Sequence, residues 1–147
     1  MATATPATIA SPDIMISRDA KALRVENSSG QLQHENLKPL CQVITPVGML
    51  GYGFDDKQFD AEVRHLTSLD VPTAIILDSG STDSGPSKLA SGISTCPQSA
   101  YKRDLTNLLK AHMKYHIPLL VSSAGGDGSD AHVDEFVGII TEIMAGL

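Results

Sequence analysis

From residue 40 onward, apolar runs of four or five residues alternate with stretches in which apolar residues recur every three or four positions. Cys41 to Thr45, Thr73 to Leu77 and Leu119 to Ser122 are such runs, with the length and composition of buried strands. Three helical patterns follow them. Phe59, Val63 and Leu66 stand behind a cap at Asp55 or Asp56. Leu105, Leu108, Leu109 and Met113 stripe a helix from about Pro97 to Tyr115, and Val133, Phe136, Val137, Ile140 and Met144 stripe a last one. Strands that are apolar nearly throughout, alternating with helices, predict an α/β fold of three layers, a mainly parallel sheet with helices on both faces. That domain is 40–147. Ahead of it, short alternating runs around Asn27-Ser28-Ser29-Gly30 predict a β-hairpin in an extension over 13–39. Residues 1–12 are rich in Ala, Thr, Pro and Ser and lack the apolar core of a secretory signal, so they read as a disordered arm.

In a parallel sheet the loops leaving the C-terminal strand ends share one edge, which is where ligands of such folds bind. Here they are Pro46 to Phe54, Asp78 to about Cys96, and Ser123 to Ser129, and they hold nine of the twelve glycines. Backbone able to turn sharply and approach closely is therefore concentrated on one edge.

Composition narrows the partners. Eleven Lys+Arg against 17 Asp+Glu leave 11 − 17 = −6, the wrong sign for a nucleic-acid binder. No apolar run approaches the roughly 20 residues of a membrane span. Two cysteines, Cys41 and Cys96, fit neither a zinc knuckle nor a disulfide framework, which favours a reducing, cytoplasmic setting.

The middle loop is the richest in chemistry. Asp78-Ser79-Gly80-Ser81-Thr82-Asp83-Ser84-Gly85-Pro86 sets two carboxylates and four hydroxyls directly behind a strand, and about 19 residues without periodicity are unusual in a compact domain unless they serve a function. Asp78-Ser79-Gly80 resembles the turn of aspartic proteases, but those enzymes are almost wholly β and helical stripes follow here. Gly80-x4-Gly85 opens like a phosphate-binding loop yet continues Pro86-Ser87-Lys88, and Pro86 removes a donor from the cradle. Neither a dinucleotide fingerprint nor a Gly-x-Ser-x-Gly elbow is present. His112 and His116 share a helix face, but in the last turns a cationic His suits the dipole, and the structural reading is preferred to zinc.

The last loop runs Ser123-Ala124-Gly125-Gly126-Asp127-Gly128-Ser129 into a helix whose free N–H groups suit an anion. Asp127, Asp130, Asp134 and Glu135 surround it, and no Lys or Arg follows Lys114. A divalent ion such as Mg2+, held with Asp127 as a ligand, would reconcile anion and carboxylates, although acids in a first turn also complement the dipole unaided. His132 is a candidate general base or ligand, or a solvated first-turn residue.

Four strings in this order and spacing, Thr45 to Phe54, Asp78 to Pro86, Tyr101 to Leu105 and Ser122 to Gly126, together resemble the acyclic terpene utilisation family, AtuA-like proteins. The resemblance covers about 40–146, roughly the N-terminal quarter of the several-hundred-residue chains usual in that family. The chain is accordingly either a piece of such a protein or a small subunit, and a homo-oligomer or a partner subunit supplying the rest is expected. The family is associated with degradation of branched terpenoid acids through acyl-CoA intermediates. The resemblance implies that pathway class more than a mechanism; the chemistry favoured here is a lyase- or hydratase-type addition or elimination on a small hydroxy acid or acyl-CoA. Asp78, Asp83 and His132 are its expected catalytic residues, with Asp78 or Asp83 as acid/base or metal ligand, and Gly51, Tyr52, Ser79, Gly80, Ser81, Thr82, Ser123, Gly125 and Gly126 are expected to line the substrate site. The reading of a different class is a non-catalytic lobe that binds a ligand or assembles a larger enzyme.

Overall fold

A computed structural model describes residues 39–81 and 83–147; the arm and hairpin expected upstream lie outside the described residues. Three strands, β1 (Gln42–Ile44), β2 (Thr73–Asp78) and β3 (Leu119–Ser122), form a parallel sheet in the order β1-β2-β3. Four helices follow the strands: α1 (Asp56–Thr67), α2 (Gly85–Ser91), α3 (Gln98–Tyr115) and α4 (Asp130–Gly146). The fold is α/β. Among the described residues no helix is long and apolar enough to cross a membrane.

Local chemistry accounts for the element ends. The Asp55 carboxylate caps α1 by accepting from the Gln58 N–H at 2.8 Å. Helix α3 stops at His116, whose left-handed backbone (φ 53°) ends the hydrogen-bond ladder, while His112 Nδ1 lies 2.7 Å from the Ile117 carbonyl. That contact gives His112 a structural post. Helix α2 interrupts a stretch that sequence periodicity reads as loop. It begins with proline in its first turn and ends at Gly92 (φ 65°), the proline-first, glycine-last arrangement of a short helix. It buries no residue, so it leaves no apolar stripe to read.

Ile44, Ile75 and Leu77 project from the sheet into a core shared with Phe59 and Val63 of α1, Tyr101, Leu105 and Leu108 of α3, and Phe136, Ile139 and Ile143 of α4. The Tyr101 and Phe136 rings, 4.7 Å apart between centroids, join α3 to α4. Two stripes differ from the sequence pattern. Met113 is 41% exposed, because at 100° per residue it lies about 125° from the centre of the buried face of α3. In α4 the buried stripe is His132, Phe136, Ile139 and Ile143, one residue round from the predicted one, and Val133, Val137 and Met144 are exposed. Helix α4 is apolar on two adjacent faces, and a histidine takes one of the core places.

The sequence pattern predicts helices on both faces of the sheet; among the described residues they lie on one. Right-handed crossovers that step twice in the same direction, β1 to β2 to β3, put both connecting helices on the same side. The opposite face carries Val43 (54% exposed), Ile76 (38%) and Leu120 (51%), one from each strand, with Ile76 directly opposite Leu120. Asp78 and Ser122, also opposite each other, continue these two columns to the C-terminal edge, because alternate residues of a strand share a face.

Candidate functional site

The three glycine-bearing loops meet at the C-terminal edge, as expected from the parallel order. Leu50, fully buried in the first loop, donates its N–H to the Asp78 carbonyl at 2.9 Å. Ser79 N–H donates to the Ser122 carbonyl at 3.0 Å, and the buried Ser79 hydroxyl has the Ser122 and Ser123 carbonyls at 2.7 and 2.8 Å. One proton serves one of these carbonyls at a time. Ser79, expected in the substrate site, thus fastens the second loop to the third. Gly80 and Gly126 are in backbone contact: a Cβ on Gly80 would lie 2.6 Å from the Gly126 carbonyl oxygen. Thr95 N–H closes the far side on the Gly125 carbonyl at 2.8 Å.

Asp78 is exposed at the C-terminal end of the sheet face that no helix covers among the described residues. Its Oδ1 accepts from the Gly80 N–H (3.1 Å) and the Ser122 hydroxyl (3.0 Å). Partial burial pushes its carboxyl up, but the Ser123 hydroxyl, the Gly80 N–H and the Ser122 hydroxyl beside it outweigh that and hold it below the usual carboxylate range. An ionised carboxylate of this kind is a poor general base at neutral pH. It is a good acceptor for a hydroxyl or ligand for a cation.

The remaining expected residues separate into rim and scaffold. Tyr52, 66% exposed, stands at the tip of the first loop. Asp83 and the Ser81 side chain are exposed in the second, where the Ser81 carbonyl accepts the Ser84 and Gly85 N–H groups at 3.1 and 3.0 Å. Thr82 lies outside the described residues. Gly51 is turned inward: its N–H and that of Gly53 donate to Asp104 Oδ2 at 2.8 and 3.0 Å. Arg103 completes the clamp, giving Nε to Asp104 Oδ1 at 2.8 Å and Nη2 to the Gly51 carbonyl at 3.1 Å. Asp104, Arg103 and Thr95 are the site-shaping residues that sequence reasoning assigned no role. The available signal was a carboxylate at position 104 inside the apolar stripe Tyr101, Leu105, Leu108, which has no place there without buried donors.

His132 is placed differently from a general base. It is 4% exposed, and its Nδ1 lies 2.7 Å from Asp127 Oδ1, a carboxylate whose side chain is 2% exposed. The same oxygen accepts the Ser129 N–H at 2.8 Å, and Oδ2 is buried without a partner. Hydrogen bonds from the Ser129 N–H and from His132 hold the Asp127 carboxyl down at about 2, and Asp127 in turn holds the imidazole above its ordinary value against the opposing effect of burial. The expected carboxylate cluster does not gather. Asp127 faces His132, Glu135 accepts the Ser94 hydroxyl at 2.8 Å, and Asp130 and Asp134 point to solvent. Among the described residues no three His, Cys, Asp or Glu side chains form a metal-holding group.

Two shallow clefts of about 310 and 260 Å³ lie away from Asp78. One is at the opposite strand ends, between Thr67 and Tyr115, and the other lies between β1 and α1, walled by Ile44, Phe54 and Phe59. The Asp78 edge is an exposed arrangement of a carboxylate, hydroxyls and backbone N–H groups. No family model, curated protein or solved structure matches the chain.

Proposed function

We propose that the chain is the ligand-binding lobe of an AtuA-like enzyme of the lyase or hydratase type, acting on a small hydroxy acid or acyl-CoA. A further protein layer, from a partner subunit or a second copy, would close its Asp78 site. The observation that supports this most is the position of Asp78 and Ser122 at the end of an apolar sheet face that the described residues leave uncovered. Parallel sheets occur almost only with both faces covered, and whatever covers Val43, Ile76 and Leu120 also reaches the carboxylate. Asp78 would accept the substrate hydroxyl, or hold a divalent ion that coordinates it, and the covering layer would exclude bulk water while leaving room for the one water added or released, and would supply the proton-transfer group that a carboxylate held ionised is not.

The reading is tested by calorimetric titration of a short 3-hydroxy acid and of its CoA thioester into the chain and into Asp78→Asn, each with and without EDTA. Binding that weakens at least about 10-fold in the variant, the loss of one charge-assisted hydrogen bond, supports the assignment. Equal binding to both proteins removes Asp78 from the site. Binding abolished by EDTA places a metal between ligand and carboxylate.

A further inference from the structure

We propose that Lys88 is the counter-charge of the Asp78 edge and holds the carboxylate of a small hydroxy acid. The assignment rests on the reading of that edge as a ligand site, and it names the residue that meets the ligand's anionic end. The three loops that converge there, with α2 inside the second, carry Asp78, Asp83 and Asp127 and, of Lys and Arg, Lys88 alone. An anionic ligand therefore has one ammonium to meet. Among the described residues Arg64, Lys102, Arg103 and Lys114 are each in an ion pair. Lys57, Lys88 and Lys110 are in none; Lys57 and Lys110 are exposed, whereas Lys88 is half-buried. A partly dehydrated ammonium beside no carboxylate has lost hydration without return, and a bound carboxylate supplies that return.

The backbone is shaped to bring the lysine to this place. Helix α2 buries none of its residues, so no apolar stripe fixes its position, and it touches the short turn Ala124–Gly126. At Gly126 (φ 117°) a Cβ would meet Thr95 Oγ1 and would fall 3.3 Å from Lys88 Cγ. The lysine stem therefore lies on backbone that only a glycine leaves open. The carbonyl of the same glycine is the one against which Gly80 packs, and the Gly80 N–H is the donor to Asp78 Oδ1. One residue thus carries the lysine stem and touches the neighbour that holds Asp78. This spacing suits a short acid whose hydroxyl and carboxylate are a few bonds apart. It does not suit the phosphates of CoA, which lie a whole pantetheine arm from the thioester.

The test is an NMR titration of the labelled chain with 3-hydroxybutyrate, its methyl ester, acetate and CoA, following the amides of Gly80 and Gly126 and the Lys88 ε-methylene. Both carboxylates should move Gly126 and the Lys88 signal, and the uncharged ester should leave them in place. In Lys88→Met, which keeps a stem on Gly126 and removes the charge, affinity for both carboxylates should fall at least about 10-fold, the loss of one charge-assisted contact, with the melting temperature unchanged. Should that variant not fold, Lys88→Gln serves instead. Carboxylates that leave Gly126 unmoved, that bind the variant as well as the native chain, or that are outdone at Gly126 by CoA overturn the role. Asp78→Asn separates this result from the substrate reading. If 3-hydroxybutyrate binds that variant unchanged but is lost in Lys88→Met, the hydroxyl reading of Asp78 fails and Lys88 stands; the reverse pattern overturns Lys88 and leaves Asp78 in place.

Discussion

Gly80→Ala isolates the close approach on which the site is built. Gly80 needs no unusual backbone, since its φ is not among the positive ones, so the added methyl acts through space alone. Its carbon would stand 2.6 Å from the Gly126 oxygen and 2.9 Å from the Gly126 carbonyl carbon and Cα. All three are backbone atoms, and reaching ordinary contact requires the second and third loops to part by most of an ångström. Overpacking of this kind costs about 1–3 kcal/mol. The smaller freedom of alanine in the unfolded chain returns roughly 0.4–1 kcal/mol. The net loss is about 1–2 kcal/mol, or ~3–8 °C in melting temperature for a chain of this size. Gly48→Ala is the matched control, because a Cβ there meets nothing within 4 Å. Thermal denaturation of the two variants side by side, with amide exchange at Ser79 and Gly126, measures the difference. A Gly80→Ala protein as stable as Gly48→Ala, with unchanged exchange, would refute the packing of these loops.

Other perturbations follow from the same contacts. Asp104→Ala strands the Gly51 and Gly53 N–H groups and the Arg103 guanidinium, so a loss of about 2–4 kcal/mol and faster amide exchange across 46–54 are expected; unchanged exchange there would mean that the clamp does not hold the loop. Gly138→Ala, in the interior of α4 with open space around it, should stabilise by about 0.5–1 kcal/mol, and a lower melting temperature would contradict the helix. The Asp127–His132 pair has a signed pH dependence. The raised histidine contributes fully below 6.5 and loses its contribution as pH rises through its folded value, and the lowered aspartate contributes above 3.8 and loses it as pH falls through about 2. Denaturant midpoints should therefore show a plateau between about pH 4 and 6.5 and an alkaline decline that His132→Asn abolishes; a decline retained in that variant assigns it to another group.

The strands and the three long helices are legible in the sequence because burial writes itself as period. Ile75 and Leu77 face the core at alternate positions, and Phe59 and Val63 stand one turn apart. Helix α2 is not legible that way, since it buries nothing, and only Pro86 and Gly92 mark it. The face of α4 is misplaced by one residue because two apolar stripes compete there and a polar residue, His132, wins the core position through its carboxylate partner. The same fact removes His132 from the exposed chemistry that its residue type suggests. At the site, the meeting of the three loops is legible from the parallel order, and Asp78 from its place at a strand end. The roles of Asp104 and Ser79 are not, because a polar side chain that holds backbone groups has the same letters as one that holds a ligand. The sheet face that the described residues leave bare is a matter of topology: apolar strands announce that both faces want cover, and only the order of the strands tells which face the connecting helices take.

The most direct measurement of the central claim is a ligand-bound structure of the native assembly, soaked with a short 3-hydroxy acid. The hydroxyl or carboxylate of the ligand should lie within hydrogen-bond distance of Asp78 and Ser122, or of an ion held there, with a protein layer packed over Val43, Ile76 and Leu120. A ligand seated elsewhere, or Asp78 left open beside a solvent-exposed sheet face in the complete assembly, would contradict it.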